Sequence, residues 1–317
     1  MHSARRKFLK QSSLAALGFA LSDPVIRSAS SSKLLEIEGT IPKRILGKTN
    51  LAVTIIGLGG WHIGRLKSEE TAQTIVHQAL DLGINFFDTA ASYQNGVSEM
   101  RYGKALKGRR DKIILMSKST MRTKADARRE LELSLRHLQT DYLDVWQLHS
   151  IQAKEDVKQI FSTGGAYETA AKAKQEGLVR HIGITGHFDP ETNLEALHYH
   201  DLLETIQMPI NPVDPHSRSF IKTVLPKAIE HNLGVLAMKT IANGRIVEHG
   251  VATAEECLTF AWNLPVSLIV SGVDSVEQLV QNVKAAQSFK PMSEEERSLL
   301  LEKTKECNYQ LVEYYKK

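Results

Sequence analysis

Eight short apolar runs, each followed by a segment of helical periodicity, constrain this chain more than any other feature of its sequence. The runs are 55–58, 84–88, 113–117, 144–148, 181–185, 205–208, 234–238 and 267–271. Between them, apolar residues recur at three- and four-residue spacing, as at 72, 75, 76 and 79, which places them on one helix face. Eight strand–helix units predict an α/β fold of the closed (β/α)8 type, a TIM barrel.

Two short segments flank the barrel units. Residues 35–51 carry turn signals at 39–42 and 47–50, which predict an N-terminal hairpin that covers the bottom of the barrel. Beyond the last strand, Pro291 and the run Ser293-Glu-Glu-Glu mark the start of a C-terminal helix. No Pro/Ser-rich linker interrupts residues 51–290, so we predict one barrel domain over residues 31–317.

The charge and the cysteine content exclude some classes of protein. The chain has 317 residues, with 40 Lys and Arg against 36 Asp and Glu and a formal net charge of +4. Much of this excess lies in the first ten residues, so we expect no nucleic acid partner. Only Cys257 and Cys307 occur, without a CxxC motif, and we expect no disulfide framework, metal site or iron–sulfur cluster.

The first 30 residues differ in character from the rest. Residues 5–10 read Arg-Arg-Lys-Phe-Leu-Lys, a mildly apolar stretch follows at 12–21, and small residues lie at 28–30. This order resembles a twin-arginine export signal, although Ala4 stands where Ser or Thr usually precedes the arginines and Ala-x-Ala is absent. The resemblance implies the twin-arginine export machinery as a partner and a periplasmic location. The alternative is a disordered basic tail on a cytoplasmic protein. The stretch is too short and too polar to span a bilayer.

Four polar residues lie at or just after the ends of the second, third and fourth predicted strands. Asp88 ends the run 84–88, Tyr93 lies in the next loop, Lys118 follows 113–117, and His149 follows 144–148. A TIM barrel carries its catalytic groups at the carboxyl ends of its strands, so we expect these side chains to meet. Each alone has an ordinary structural explanation, but the ordered set of four does not.

Reduction of an aldehyde or ketone needs this combination of groups. The carbonyl oxygen must receive a proton as hydride reaches the carbon, and Tyr93 can donate it. The reference pKa of tyrosine, about 10, is high for proton transfer at neutral pH, so we expect the Lys118 cation to favour the phenolate. Asp88 would keep the buried Lys118 charged and oriented, and His149 would hydrogen-bond the carbonyl oxygen.

Several motifs together resemble the aldo-keto reductase family. They are Gly57-Leu58-Gly59-Gly60-Trp61, Gly83-Ile84-Asn85-Phe86-Phe87-Asp88-Thr89-Ala90-x-x-Tyr93 with Ser98-Glu99, Ser117-Lys118-Ser119, Leu135-x-x-Leu138-x-x-Asp141-Tyr142-Leu143-Asp144, and Gln147-Leu148-His149. The resemblance runs from about residue 42 to residue 287. It implies that the four polar residues are the family's catalytic tetrad. It also implies an NAD(P)H-dependent oxidoreductase with a small-molecule carbonyl or alcohol substrate.

The same resemblance implies a nicotinamide dinucleotide across the barrel mouth, held without a Rossmann glycine motif. The cofactor-binding residues that it implies are Gly60, Trp61, Asp88, Thr185, Gln207, Met238, Lys239, Gly272, Gln278 and Asn282. Gly186 replaces the usual Asn beside the carboxamide, where His187 could substitute. Met238 replaces the aromatic residue that usually stacks on the nicotinamide ring. The turn 243–245 could line the pyrophosphate or be purely structural.

The sequence leaves one alternative for the cofactor and others for the function. The family favours NADP(H), but the positions near the 2′-phosphate carry no basic residue and Asp274 lies close by, so NAD(H) is an alternative. The alternative function is a nicotinamide-nucleotide-binding subunit that senses redox state with little turnover. A TIM-barrel lyase or isomerase would need a metal or phosphate site, and we find no ligand cluster for one. The substrate depends on Trp61, the loop 149–165 and residues 211–220.

Overall fold

The structure, a computed structural model, describes residues 40–316 of the chain. Its strands are β1 (Lys43–Ile45), β2 (Ala52–Thr54), β3 (Ile56–Gly59), β4 (Phe86–Asp88), β5 (Ile114–Ser119), β6 (Leu143–Ile151), β7 (Val179–Gly186), β8 (Thr205–Pro209), β9 (Gly234–Met238) and β10 (Leu268–Ser271). β1 and β2 form an antiparallel hairpin. β3 to β10 pair in parallel and close into an eight-stranded barrel. The predicted TIM barrel and its N-terminal hairpin are therefore confirmed.

Helices connect the strands and cover the outside of the barrel. They are α1 (Gly60–Arg65), α2 (Glu69–Asp81), α3 (Val97–Ala105), α4 (Lys124–Leu138), α5 (Lys154–Phe161), α6 (Ala166–Gln175), α7 (Pro190–Leu197), α8 (Phe220–Glu230), α9 (Arg245–Glu248), α10 (Ala254–Trp262), α11 (Val276–Gln287), α12 (Glu294–Lys305) and α13 (Tyr309–Val312). In α2 the buried residues are Ala72, Ile75, Val76 and Ala79, the four whose spacing predicted the packed face.

The strand boundaries differ from the sequence prediction mainly at β6 and β7. Both strands extend past the predicted runs 144–148 and 181–185. They pair with each other from Leu143↔Val179 to Ile151↔Gly186, with a shift in register after Leu148. Hydrogen bonds between neighbouring strands thus lengthen both elements beyond their apolar runs, and the hydrophobic pattern of one segment does not record such pairing.

Side chains alternate between the inside and the outside of the barrel wall. The lower interior is apolar and consists of Phe86, Met116, Val145, Leu236 and Leu268, with Leu46 and Val53 of the hairpin. Two residues further along the same strands, the buried positions are polar, as at Asp88, Lys118 and Gln147. The barrel therefore has a dry lower interior below a polar mouth.

The β1–β2 hairpin closes the bottom of this barrel. Leu46 is fully buried in the lower apolar cluster. Gly47 has a φ of 50°, and a Cβ on it would lie 2.1 Å from the backbone N of Gly234, so only glycine lets the hairpin turn approach β9 this closely. Arg44 donates to three backbone carbonyls between residues 262 and 266. The hairpin is thus fixed by both apolar packing and buried hydrogen bonds.

The C-terminal helix begins where the sequence predicts it. The backbone N of Glu296 donates to Ser293 Oγ, and the backbone N of Ser293 donates to the Glu296 carboxylate. This reciprocal pair is a capping box. After α12 the chain forms the short α13 and continues to the barrel mouth, where Tyr315 is buried. The sequence did not predict this last segment.

The predicted export signal over residues 1–30 lies outside the described residues, as does the start of the predicted hairpin at 35–39. In the part of the chain that the structure describes, no helix is long and apolar enough to cross a membrane.

Replacement of Leu46 by Ala should destabilise the protein by about 2–5 kcal/mol, because it removes a buried side chain that the closed barrel end cannot refill. Urea unfolding followed by circular dichroism measures this change. The neighbouring Ile45 is 42% exposed, so Ile45→Ala should cost less than about 1 kcal/mol. Equal losses from the two substitutions would contradict the role of Leu46 as the residue that closes the barrel bottom.

Candidate active site

The barrel brings the four predicted catalytic residues to one place. Asp88 ends β4, Lys118 lies in β5 and His149 lies in β6, and these three side chains are buried. The pairing Asp88↔Met116 places Asp88 beside the residue two positions before Lys118 on the adjacent strand. Tyr93 lies in the turn after β4, and its hydroxyl reaches Lys118.

The Lys118 ammonium is the centre of this arrangement. Its Nζ forms an ion pair with Asp88, donates to the backbone oxygen of Thr89 at 2.7 Å, and donates to the Tyr93 hydroxyl at 3.3 Å. An ammonium has three N–H donors, and here each has an acceptor. The side chain is 1% exposed, so its position is set by these contacts and not by solvent.

The ion pair keeps Lys118 protonated in spite of its burial. Burial lowers the pKa of the ammonium, but the charges of Asp88 and Tyr93 and their hydrogen bonds outweigh it, and the pKa is raised above its ordinary value. Burial raises the pKa of the Asp88 carboxyl as well, against the opposing effect of Lys118. The cation is thus the more firmly held charge of the pair.

The pKa of Tyr93 is raised overall, although Lys118 favours the phenolate as expected. Burial is the largest cause, and the charge of Asp88 acts in the same direction. Lys118 lowers the pKa through its charge and its hydrogen bond, but by less. Tyr93 therefore holds its proton at neutral pH, which is the state required of a group that donates a proton to a substrate.

His149 faces Tyr93 across the site. The two rings meet edge to face with centroids 5.7 Å apart. Burial, followed by the charges of Lys118 and other cations, holds the pKa of His149 well below its ordinary value. The imidazole is therefore neutral at pH 7 and can donate a hydrogen bond without carrying charge.

Arg122 fixes the backbone just beyond His149. Its guanidinium donates to the carbonyl oxygens of His149 and Ser150, each at 3.0 Å, and pairs with Asp156 at 3.1 Å. Ser150 has a φ of 56°, a conformation that non-glycine residues rarely adopt. Arg122 was not predicted from the sequence, because its backbone partners lie about 27 residues further along the chain.

Buried hydrogen bonds anchor the segment that carries Tyr93. Ser98 Oγ donates to the backbone oxygen of Gly60 at 2.7 Å. The Glu99 carboxylate accepts from Ser117 Oγ at 2.6 Å, next to the central lysine. The Ser-Glu pair that follows the tyrosine motif is thus part of the support of the site.

Opposite the tetrad, β7 and β8 present two buried polar atoms that have no hydrogen-bond partner among residues 40–316. They are Thr185 Oγ1 and Gln207 Oε1, and the pairing Thr185↔Gln207 places the two residues side by side. An unpaired buried polar atom is costly unless a ligand or water satisfies it. These two atoms therefore form a place where a polar ligand group, such as a carboxamide, can bind.

The chain matches the Aldo/keto reductase family over residues 55–249, a range that includes all four tetrad positions and both unpaired atoms. This chain belongs to the aldo/keto reductase family. The resemblance expected from the motifs is confirmed.

Known proteins and solved structures resemble the chain over most of its length. The oxidoreductase YqkF of Bacillus subtilis is 27% identical and is covered over 98% of its length by 84% of this chain. The holo form of aldo-keto reductase AKR11C1 from Bacillus halodurans has a TM-score of 0.70 and 28% identity, over 86% of this chain and 99% of its own. An aldo-keto reductase from Klebsiella pneumoniae in complex with NADPH has a TM-score of 0.70 and 26% identity, over 85% and 96%. The protein is accordingly an NAD(P)-dependent oxidoreductase.

The glycine at position 186 leaves room for a side chain from α7. A Cβ on Gly186 would lie 2.2 Å from Asn193 Oδ1, and Asn193 Nδ2 donates to the Gly186 carbonyl at 3.4 Å. His187, the expected substitute for the missing Asn, stacks on Phe188 with ring centroids 4.4 Å apart. A family-type Asn at position 186 would therefore require Asn193 to move.

The residues after β9 meet the C-terminal segment at the barrel mouth. The Lys239 ammonium lies 5.0 Å from the ring centroid of Tyr315. In the turn 243–245, Asn243 donates to the Tyr314 hydroxyl at 2.9 Å, and the Arg245 guanidinium lies 4.6 Å over the same ring. These contacts were not predicted from the sequence, although the tyrosines at 314 and 315 were an available signal.

The first and eighth barrel strands carry the remaining predicted cofactor residues. A Cβ on Gly60 would lie 2.5 Å from the backbone oxygen of Asp88, so glycine lets α1 pack directly on the tetrad. Trp61 is 42% exposed, with the Arg65 guanidinium 4.3 Å from its ring centroid.

At the end of β10, the His62 ring lies where a side chain on Gly272 would extend. Gln278 accepts from the backbone N of Asp274 at 2.8 Å, and Asn282 donates to the hydroxyl of Ser271. No Lys or Arg occurs in residues 271–283.

The two cysteines lie apart from this chemistry. Both thiols are free, and burial raises the pKa of Cys257 to about 12 and that of Cys307 to about 11. Among residues 40–316, no group of three or more His, Cys, Asp or Glu side chains could hold a metal ion.

Removal of one partner from the buried ion pair should cost more than removal of both charges. Lys118→Met should lower the free energy of unfolding by about 3–5 kcal/mol, because it leaves the Asp88 carboxylate buried without a counter-charge. The double variant Asp88→Asn/Lys118→Met should lose less, since no charge remains to be buried. Urea unfolding of the single and double variants tests this. A double variant less stable than Lys118→Met would show that the pair is not coupled as described.

Proposed function

We propose that this aldo-keto reductase reduces an aldehyde or ketone to an alcohol with NADPH, or catalyses the reverse oxidation, with Tyr93 as the general acid. The observation that carries the proposal is the hydrogen bond from Lys118 Nζ to the Tyr93 hydroxyl at 3.3 Å, beside a neutral His149. Because Tyr93 accepts from Lys118, its own O–H is available to a substrate oxygen in the mouth.

Each tetrad residue has a distinct task in this reaction. Tyr93 donates its proton to the carbonyl oxygen as the carbon accepts hydride, and the phenolate left behind is stabilised by the adjacent ammonium of Lys118. Asp88 holds that ammonium in place. His149 donates a hydrogen bond to the same carbonyl oxygen and orients it toward Tyr93. In the reverse direction, the Tyr93 phenolate accepts the proton of the alcohol.

The residues of β7, β8 and β9 fit a nicotinamide group. Thr185 Oγ1 and Gln207 Oε1, which lack partners within the described chain, would bind the carboxamide, and the Met238 thioether would pack on the ring face. A nicotinamide held there supplies the hydride. Gly272, Gln278 and Asn282 would line the adenosine end, with Gly60 and Trp61 at the mouth.

We propose NADP(H) as the cofactor, with NAD(H) as the alternative. The complex of the Klebsiella pneumoniae relative with NADPH supports the first choice. Basic side chains usually bind the 2′-phosphate that distinguishes NADP(H) from NAD(H). Because residues 271–283 contain no Lys or Arg, we expect only a modest preference for NADP(H).

Replacement of Tyr93 by Phe should lower kcat for aldehyde reduction by about 10²- to 10⁴-fold, because the ring remains and the proton donor is lost. Binding of NADPH and NADH, followed by quenching of protein fluorescence, should stay unchanged. Tyr142→Phe is the matched control, since Tyr142 stacks between Arg110 and Arg180 outside the tetrad. Near-normal turnover by Tyr93→Phe would overturn the mechanism. Cofactor binding without turnover by the wild type would instead favour the redox-sensing alternative.

We also propose that the protein is exported through the twin-arginine route. The pair Arg5-Arg6 followed by Phe8-Leu9-Lys10 supports this. That route carries folded cargo, so the enzyme could bind its cofactor in the cytoplasm before transport.

Changing Arg5 and Arg6 together to Lys should retain an active protein in the cytoplasm, because the substitution keeps the charge and removes the arginine pair that the export machinery reads. Cell fractionation with activity assays measures this, with the unchanged chain expected outside the inner membrane. A double-lysine variant that still reaches the periplasm would show that residues 1–30 are not such a signal.

A further inference from the structure

Lys239 places a cation at the barrel mouth that the tetrad does not use. It directly follows β9 with a φ of 54°, and its backbone oxygen accepts from Asn211 at 3.4 Å. Its ammonium faces the Tyr315 ring at 5.0 Å. Its positive charge lowers the pKa of both His62, in α1 just after β3, and His149, in β6. The ammonium therefore lies over the mouth and acts on the catalytic histidine.

This ammonium has no carboxylate partner among residues 40–316. The buried carboxylates of Asp88, Asp214 and Glu313 are already paired, because Asp88 binds Lys118 and the other two bind Lys316 at 2.7 Å. Burial alone lowers the pKa of Lys239 to about 8. The group thus remains mostly protonated at pH 7, and because Lys239 is half-buried, its incompletely hydrated charge favours a negatively charged partner.

Two of the other groups whose charge acts on His149, Lys118 and Arg122, have carboxylate partners, unlike Lys239. Lys118 is neutralised by Asp88, and Arg122 is neutralised by Asp156 and also bonded to two backbone carbonyls. Lys239 is left as an uncompensated positive charge beside the reacting groups. A mouth with this charge pattern favours a ligand that brings its own negative charge.

We propose that Lys239 binds a carboxylate of the substrate, so that the enzyme prefers aldehydes or ketones that also carry a carboxylate group. This inference rests on the proposed carbonyl reduction. The same ammonium chemistry would suit a phosphate oxygen of the cofactor, and the experiment separates the two sources. The influence of Lys239 on His149, which orients the carbonyl, favours the substrate.

The test uses pairs of aldehydes in which a carboxylate is replaced by its uncharged methyl ester. The 2-, 3- and 4-carboxybenzaldehydes are compared with their methyl esters, with NADPH as the reductant. The wild type should reduce at least one acid with a kcat/KM about 10- to 100-fold above that of its ester, the range expected for one charged hydrogen bond. Lys239→Met should abolish this ratio through a rise in KM for the acid, and Lys239→Arg should keep it. Lys290→Met is the matched control, since Lys290 is exposed in the loop after α11.

The outcomes separate the inference from the function on which it rests. An acid-to-ester ratio near one in the wild type, or an unchanged ratio in Lys239→Met, would overturn the inference while leaving carbonyl reduction intact. Weaker NADPH binding by Lys239→Met with an unchanged ratio would assign the ammonium to a cofactor phosphate and overturn it as well. Failure of the wild type to reduce any of the six aldehydes would count against the proposed function itself.

Discussion

The buried ammonium of Lys118 is the interaction on which the site depends. An ammonium at 1% exposure persists only if its lost hydration is replaced, and three oxygens replace it. One is a carboxylate, one a backbone carbonyl and one the hydroxyl of Tyr93. Because all three oxygens come from β4 or the loop after it, the parallel pairing of β4 with β5 places Asp88, Thr89 and Tyr93 around Lys118. The proposed proton donor and its electrostatic partner are thereby positioned by the same pair of strands. A shift of β5 by one residue would turn Lys118 to the outside of the barrel.

The two ends of the barrel interior support each other. Phe86 and Met116 pack in the dry lower layer, and the interior residues two positions further along the same strands are Asp88 and Lys118. The apolar cluster and the hairpin that covers it hold the strands at fixed spacing, and the polar groups above need that spacing to stay paired. The tetrad contributes little stability of its own, since a buried ion pair gains only about as much as its desolvation costs. The lower core therefore stabilises the geometry that the chemistry uses.

The sequence was sufficient to predict features that depend on local patterns. The eight runs, the face of α2 and the capping box at Ser293 are properties of short segments, and the structure confirms them. The pKa of Tyr93 was not predictable in the same way, because it depends on how much burial opposes Lys118. Two further features depend on contacts between distant parts of the chain: the extension of β6 and β7, and the position of Tyr315 at the mouth. The pattern of a single segment does not predict such contacts.

The departures from the family pattern lie on one side of the mouth, and the fold explains why they can be tolerated. The proposed proton transfer needs Tyr93, Lys118 and His149 at fixed positions, and all three come from the β4–β6 side. Binding of a nicotinamide ring depends instead on packing and on a few amide contacts, which several side chains can provide. At Gly186 the space of a side chain is filled from α7 by Asn193, whose Oδ1 is buried without a partner among residues 40–316. The amide that the family carries at position 186 is thus replaced by the amide of Asn193, which enters the same space from α7. The tetrad on the opposite side of the mouth is unaffected by this exchange.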